Sequence, residues 1–211
     1  MSPISPQVLK GALVQVDPLN PQRTVVVFQY NPERMTRSLR TQSTQGEGNR
    51  PTPTRLLGPP EETISLEIEI DATDQLATGQ GPGRDVGIHP TLASLELLIY
   101  PSATNVIASE ALARTGILEI IPPEAPMTLL VWGGLRILPV HITSYSITEE
   151  AFDPNLNPIR ASVDISLQVL TYHSSGLLSP AGVAFMAHQI TKEAMAAVQL
   201  ANTTDTALRG I

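Results

Sequence analysis

Apolar and polar residues alternate most regularly over Glu62–Asp71, where Ile64, Leu66, Ile68 and Ile70 are interleaved with Ser65, Glu67, Glu69 and Asp71. A period of two sends one set of side chains to a buried face and the other to water, which predicts a strand laid over a core. The same period returns over Ile159–Tyr172, with Ala161, Val163, Ile165, Leu167 and Val169 set against Ser162, Asp164, Ser166 and Gln168. β-Branched and aromatic runs predict further strands at Val8–Asp17, Arg23–Tyr30, Met35–Gln42, Met127–Trp132 and Leu135–Thr148. Turns are expected at Asp17–Pro21, Asn31-Pro32 and Asp153–Pro158, and a hairpin at Gly133-Gly134. A bulge is expected near Pro139, because proline cannot donate to a ladder.

The period changes after His89-Pro90-Thr91, where Leu92, Leu95 and Ile99 recur at the three- and four-residue spacing of a helix that Tyr100-Pro101 ends. Ala184–Ala201 is rich in Ala and Met and helical by propensity. Thr44–Pro60 carries four prolines and three glycines and reads as a long loop or arm, and Ala72–Gly87 as a second, Gly-rich loop. The order of elements predicts an α+β, mostly antiparallel protein, a barrel or sandwich with a flanking helix. Regular helices do not separate the strands, which excludes a doubly wound parallel sheet. The expected division is a β domain over 1–173, with the arm at 42–61, and a C-terminal helical extension over 174–211.

Composition sharpens this picture in four ways. With 42% hydrophobic residues in 211, the chain can bury a substantial core. Its 16% of charged residues, against the ~25% of an average soluble chain, leaves more surface for contact with other proteins. There is no cysteine, so disulfides, iron–sulfur clusters, thiolate zinc sites and cysteine nucleophiles are excluded. A net charge of −7 argues against a nucleic-acid or anionic-membrane binder. That charge is uneven: seven basic and three acidic residues precede position 61, and six basic and 17 acidic residues follow. Arg34, Arg37, Arg40, Arg50 and Arg55 make a basic arm on an acidic body, suited to docking on the next copy of itself. The Met-Ser-Pro-Ile-Ser-Pro-Gln start lacks a basic and an apolar region, and Met127–Val140 is interrupted by Gly133, Gly134, Arg136 and Pro139. Cytoplasmic synthesis, with no signal peptide and no membrane insertion, is therefore expected.

No catalytic constellation is present. His89, His141, His173 and His188 form no closely spaced ligand pair, so no metal site is expected. Asp71 and Asp74 lack the further oxygen ligands of a calcium loop. Glu61-Glu62 and Glu149-Glu150 are neighbours on strands and point to opposite faces. Gly79, Gly81 and Gly83 are interrupted by Pro82 and open no phosphate-binding helix. Aromatic residues, at 4%, are too few for a base-stacking platform. Neither enzyme activity nor a cofactor is expected.

Five segments, in order, carry a resemblance. They are Val27-Phe-Gln-Tyr-Asn-Pro-Glu33, Thr63–Asp74 with its Asp-Ala-Thr-Asp end, Leu92–Pro101, Pro123–Gly133 with Trp132-Gly133, and the strands Val140–Phe152 and Pro158–Thr171 around a Pro-rich turn. Together they resemble the tube-type baseplate proteins of contractile injection systems, the phage-tail-like particles. The resemblance implies a tube-like β fold, a six-membered ring of identical copies, and a place between the spike-hub and the inner tube, where the ring starts tube assembly. Inner tube, spike-hub and other baseplate proteins would be its partners. Residues 173–211 do not match the LysM module that several such proteins carry, so no wall binding is implied. The candidate subunit-interface residues are Arg37, Arg40, Arg50 and Arg55, with Phe28, Tyr30, Asn31 and Pro32 at the turn. The alternatives are a repeated inner tube subunit of the same particle and a small-ligand-binding β-barrel.

Overall fold

The computed structural model describes residues 9–16, 24–44, 55–73, 76, 83–101, 103–114 and 127–209. In chain order the strands are β1 (Ala12–Val16), β2 (Val25–Val27), β3 (Met35–Arg40), β4 (Ser43–Thr44), β5 (Arg55–Leu56), β6 (Glu61–Asp71), β7 (Met127–Trp132), β8 (Arg136–Phe152) and β9 (Pro158–Val169). The helices are α1 (Gly83–Val86), α2 (His89–Glu96), α3 (Ala103–Arg114), α4 (Tyr172–Ser175) and α5 (Pro180–Arg209). Seven strands form one antiparallel sheet in the order β2-β1-β7-β8-β9-β6-β3, and β4 and β5 form a separate pair. The mostly antiparallel α+β class follows. The sheet is not closed into a barrel: among the described residues no ladder joins β2 to β3.

The alternating segments are neighbouring inner strands on the β3 side of the sheet. Ile64, Leu66, Ile68 and Ile70 on β6 and Ala161, Val163, Ile165, Leu167 and Val169 on β9 are all buried on one face. The ladder sets Ile64 opposite Leu167 and Ile68 opposite Val163. Leu92, Leu95 and Leu98 cover this face from α2 and its following turn, and Phe185 from α5. α2 opens on Pro90, which needs no N–H partner in the first turn. It ends earlier than the spacing suggested. The chain tightens after Leu97, so Leu98 points into the core and Ile99 toward solvent.

Several other boundaries differ from the sequence reading. Within the described part of Arg23–Tyr30 the strand is Val25–Val27; the Phe28 N–H still donates to the Gly11 carbonyl at 2.9 Å, and its ring fills the core beside Trp132, with ring centroids 6.4 Å apart. The Gly-rich loop contains α1, and the arm begins and ends on the β4–β5 pair, its residues 45–54 lying outside the described positions. The bulge is not at Pro139, which pairs in register with Leu129. In a strand the N–H and C=O of one residue point to the same neighbour. The Pro139 carbonyl accepts from Leu170 N at 2.8 Å, just past the end of β9, so the missing donor falls where that ladder has run out. The register instead shifts between Ile142 and Ser144. One extra residue, Thr143, changes the core-facing set from Leu138, Val140 and Ile142 to Tyr145 and Ile147. α3 answers to no element expected from the sequence. α5 is longer than its Ala/Met-rich segment, about 45 Å at 1.5 Å per residue. Its first turns pack on β8 through Ala181, Phe185 and His188, and its described side chains from Glu193 onward are exposed.

Candidate functional site

β2 and β3 end the sheet, each paired on one side only. Such edges present unpaired backbone donors and acceptors, which template pairing with another chain. β2 carries Val25 and Val27, 51% and 53% exposed, on its outward face. β3 carries Arg37 and Arg40.

Those arginines are placed differently from one another. Arg37 turns to its own chain: its Nε donates to the buried Glu62 carboxylate at 2.7 Å, and Lys192 of α5 reaches the other oxygen at 3.6 Å. One carboxylate thus ties the edge strand to the C-terminal helix. Arg40 lies across from Glu61, but Gln42 already donates to that carboxylate at 2.9 Å, and Arg40 is exposed without an ion-pair partner among the described residues. Arg55 belongs to β5, its side chain outside the described positions, and Arg50 lies outside them altogether.

The turn after β2 is built from side-chain amides that imitate backbone. Gln29 donates to the Asp71 carbonyl at 2.6 Å and accepts from the Asp71 N–H at 3.0 Å. Asn31 accepts from Gly11 N at 2.9 Å and donates to the Leu9 carbonyl at 2.8 Å. The two amides fasten one turn to the end of β6 and the start of β1. Pro32 restricts Asn31 to an extended conformation, and Tyr30 points out, half exposed. Phe28 is therefore a core residue, and Tyr30 and Pro32 line a cleft of 720 Å³ with Lys10, Glu33, Arg34, Glu67 and Glu69. A Cβ on Gly11 would lie 2.7 Å from Phe28 and 2.9 Å from Trp132, so only glycine lets β1 pass this ring pair.

Three further features could not be read from motifs. The outer face of the sheet is acidic and hydroxyl-rich: Glu67 faces Asp164, which faces Ser146, and Ser162 donates to Glu67 at 2.7 Å. At the β8–β9 tip, Ala151 and Leu156 have φ of 52° and 66°, unusual for side chains larger than hydrogen, and Leu156 is 78% exposed. Asp153 closes that tip by accepting from Asn155 N, Asn157 N and Asn157 Nδ2, bonds that hold its carboxyl below the usual range. Finally, Glu96, Ile99 and Tyr100 face Ile142–Tyr145 and Ile147 across a groove of 510 Å³. The Tyr145 hydroxyl there is buried with no hydrogen-bond partner among the described residues. Burial, and then the Glu96 carboxylate, push its pKa up.

His188 is the other orphan. It is 6% exposed, neither ring nitrogen has a hydrogen-bond partner of good geometry among the described residues, and burial followed by the Lys192 charge lowers its pKa. Among the described residues no three His, Asp or Glu side chains converge to hold a metal ion. No helix among them is long and apolar enough to cross a membrane.

Comparison with known proteins adds three findings. A family model described as contractile injection system tube protein matches residues 14–174. No curated protein matches the chain. Among solved structures the chain is similar to one from the virion of a native gene transfer agent particle, at 12% identity over 75% of this chain and 90% of that one with a TM-score of 0.28. It is also similar to one from the tail of an empty gene transfer agent particle with C6 symmetry, at 12%, 75%, 90% and 0.30. A third is from the anti-feeding prophage baseplate, 6-fold symmetrised, at 10% identity over 79% of this chain and 93% of that one with a TM-score of 0.29.

Proposed function

The chain belongs to the contractile injection system tube protein family, and from that premise we propose that it forms the ring that joins the spike-hub to the inner tube and starts tube growth. It is a component of a phage-tail-like particle, and its role in this reading is mechanical. Copies would join head to tail, the β2 edge of one beside the β3 edge of the next, so that six open sheets become one continuous wall. The barrel expected from the resemblance would then belong to the ring rather than to one copy. The face bearing Glu67, Glu69, Asp164, Ser144 and Ser146 would line the channel, where hydroxyls and carboxylates offer nothing apolar for a passing substrate to adhere to.

The observation that carries the initiator reading is α5. It lies beyond the matched span of 14–174 and adds a long helix to the tube fold. A repeated tube subunit meets identical rings on both sides, whereas an adaptor meets two different neighbours and needs an additional contact element.

The test is a tagged pull-down from the native host with imaging and quantitative mass spectrometry of the particles. One ring's worth of copies per particle, beside sheath, tube and spike proteins, is expected of an initiator. Copy numbers that grow with particle length would make the chain the tube subunit. Recovery as a monomer without such partners would leave the small-ligand-binding reading.

A further inference from the structure

α5 is held to the rest of the chain by two contacts of different kinds. The first is apolar and lies at its start. Ala181 and Phe185 are buried there, with the Phe185 ring centroid 5.9 Å from that of Tyr172. The second is charged and follows within two turns. Lys192 reaches Glu62 at 3.6 Å, and the buried His188 lies one turn before it on the same side of the helix. The described side chains beyond Lys192 are exposed.

The charged contact is short of anions. The charges that act on His188 are Glu62 on β6, Lys192 on α5 and Arg136 on β8, and the Leu135 main chain lies beside the ring. Both oxygens of Glu62 are already engaged, one by Arg37 of β3 at 2.7 Å and the other by Lys192. Neither imidazole nitrogen has a hydrogen-bond partner of good geometry among the described residues. A neutral imidazole fits here as a nearly apolar body. An imidazolium would be a buried cation among cations, with one carboxylate already shared and N–H donors poorly matched to any acceptor, and water relieves each of those costs. His173 of α4 is exposed and meets the Tyr172 ring edge-on. The helix is also free to move as a unit. It follows the last strand and enters no ladder, and Gly176, at φ 85°, joins it to α4 through the exposed Leu177 and Leu178.

We propose that His188 is a proton-operated latch on the C-terminal helix: with the ring neutral, α5 is held against β8 and Glu62, and with the ring protonated it lifts from both about Gly176 while the sheet stays folded. The undocked state is the one that takes up the proton, so the helix lifts as pH falls. The latch is a property of one chain and does not depend on the ring reading. That reading makes α5 the contact element for a second neighbour, so within a particle acid would free this element.

The test is double electron–electron resonance between spin labels on Ser38→Cys of β3 and Ala194→Cys of α5, exposed positions in a chain without cysteine, from pH 8 to 5. Far-UV circular dichroism and the fluorescence of Trp132 report on the sheet. The wild type is expected to pass from a short, narrow distance distribution to a longer, broader one, with a midpoint below the 6.5 of a free imidazole. The His188 C2 proton resonance should titrate with the same midpoint. His188→Gln and His188→Leu, both uncharged and both retaining Glu62 and His173, should hold the short distance down to pH 5. A wild-type distance that does not change would overturn the latch. So would lifting by both uncharged variants at the wild-type pH, which would place the proton elsewhere, and so would loss of the sheet signals at the same midpoint, which would make the transition global.

Discussion

The Gln29 side chain pairs with the main chain of Asp71 through both its oxygen and its nitrogen, 3.0 and 2.6 Å from their partners, as a neighbouring strand residue would. The Phe-Gln-Tyr-Asn-Pro segment is thereby explained residue by residue. Phe28 fills the core, Gln29 finishes the edge of β6, Asn31 holds the start of β1, and Pro32 fixes the exit. Four of the five motif residues thus act within the chain, and Tyr30 is left outside.

Replacing Gln29 with methionine keeps its length and removes both bonds. The half-buried backbone groups of Asp71 then lose their partners, and a loss of about 1–3 kcal/mol is expected. Urea unfolding measures this, and an unchanged midpoint would show that water replaces the amide without cost.

Gly11→Ala places a methyl group 2.7 Å from Phe28 and 2.9 Å from Trp132. Phe28 is fully buried and its ring has little room to retreat, so destabilisation of about 1–3 kcal/mol is expected from overpacking. Thermal melts measure it, and Gly134→Ala, where a Cβ meets nothing within 4 Å, supplies the control and should show a change well below that.

His188 makes stability depend on pH in one direction. Burial and the Lys192 charge set its native pKa below the 6.5 of a free imidazole, against the opposing pull of Glu62 and the Leu135 main chain. A lowered native pKa means that stability is fully present above about 6.5 and is lost as pH falls through the native value. Asp71 and Asp153, also lowered, titrate only in the acid range below 3.8 and do not contribute near neutrality. The melting temperature should therefore fall between pH 7.5 and 5.5, and His188→Leu should flatten that slope. With no hydrogen-bond partner of good geometry among the described residues, the ring should be replaceable by leucine at pH 8 with little loss of stability.

Leu156 holds a left-handed conformation at φ 66° while 78% exposed, so it gains little from packing for the strain it carries. Leu156→Gly should raise stability by about 1 kcal/mol. A glycine variant that is more stable but incorporates poorly into particles would mark Leu156 as a contact retained for assembly. A less stable one would show that the leucine packs within its own chain.

How far the sequence could be read follows from where the information sits. In β6 and β9 it is local: Ile64 to Ile70 and Ala161 to Val169 declare their face by alternation, and the structure agrees. The bulge was equally local but lay in the phase of the pattern. Leu138, Val140 and Ile142 give way to Tyr145 and Ile147, a slip from even to odd numbers that marks Thr143, whereas Pro139 marks only a missing donor. The Arg37–Glu62–Lys192 link is not local at all. It depends on β3 lying beside β6 with Arg37 opposite Ile64, and on α5 returning across β8. The groove at Glu96 and Tyr145 likewise joins residues 49 positions apart through packing alone. Charge counting could place arginines near an edge but could not tell Arg37, which is satisfied within the chain, from Arg40, which is not.

The pairing of β8 with β9 is the longest among the described strands, running from Val140 opposite Val169 to Phe152 opposite Pro158. Tension applied along these strands is divided among all the bonds at once, so none fails until many do. Tension that peels the hairpin open from its tip would meet them singly, and there the Asp153 carboxylate, gripping Asn155 and Asn157, closes the free end. In a particle that works by sudden displacement, the direction in which this sheet is mechanically weakest is the one its sequence has fastened shut.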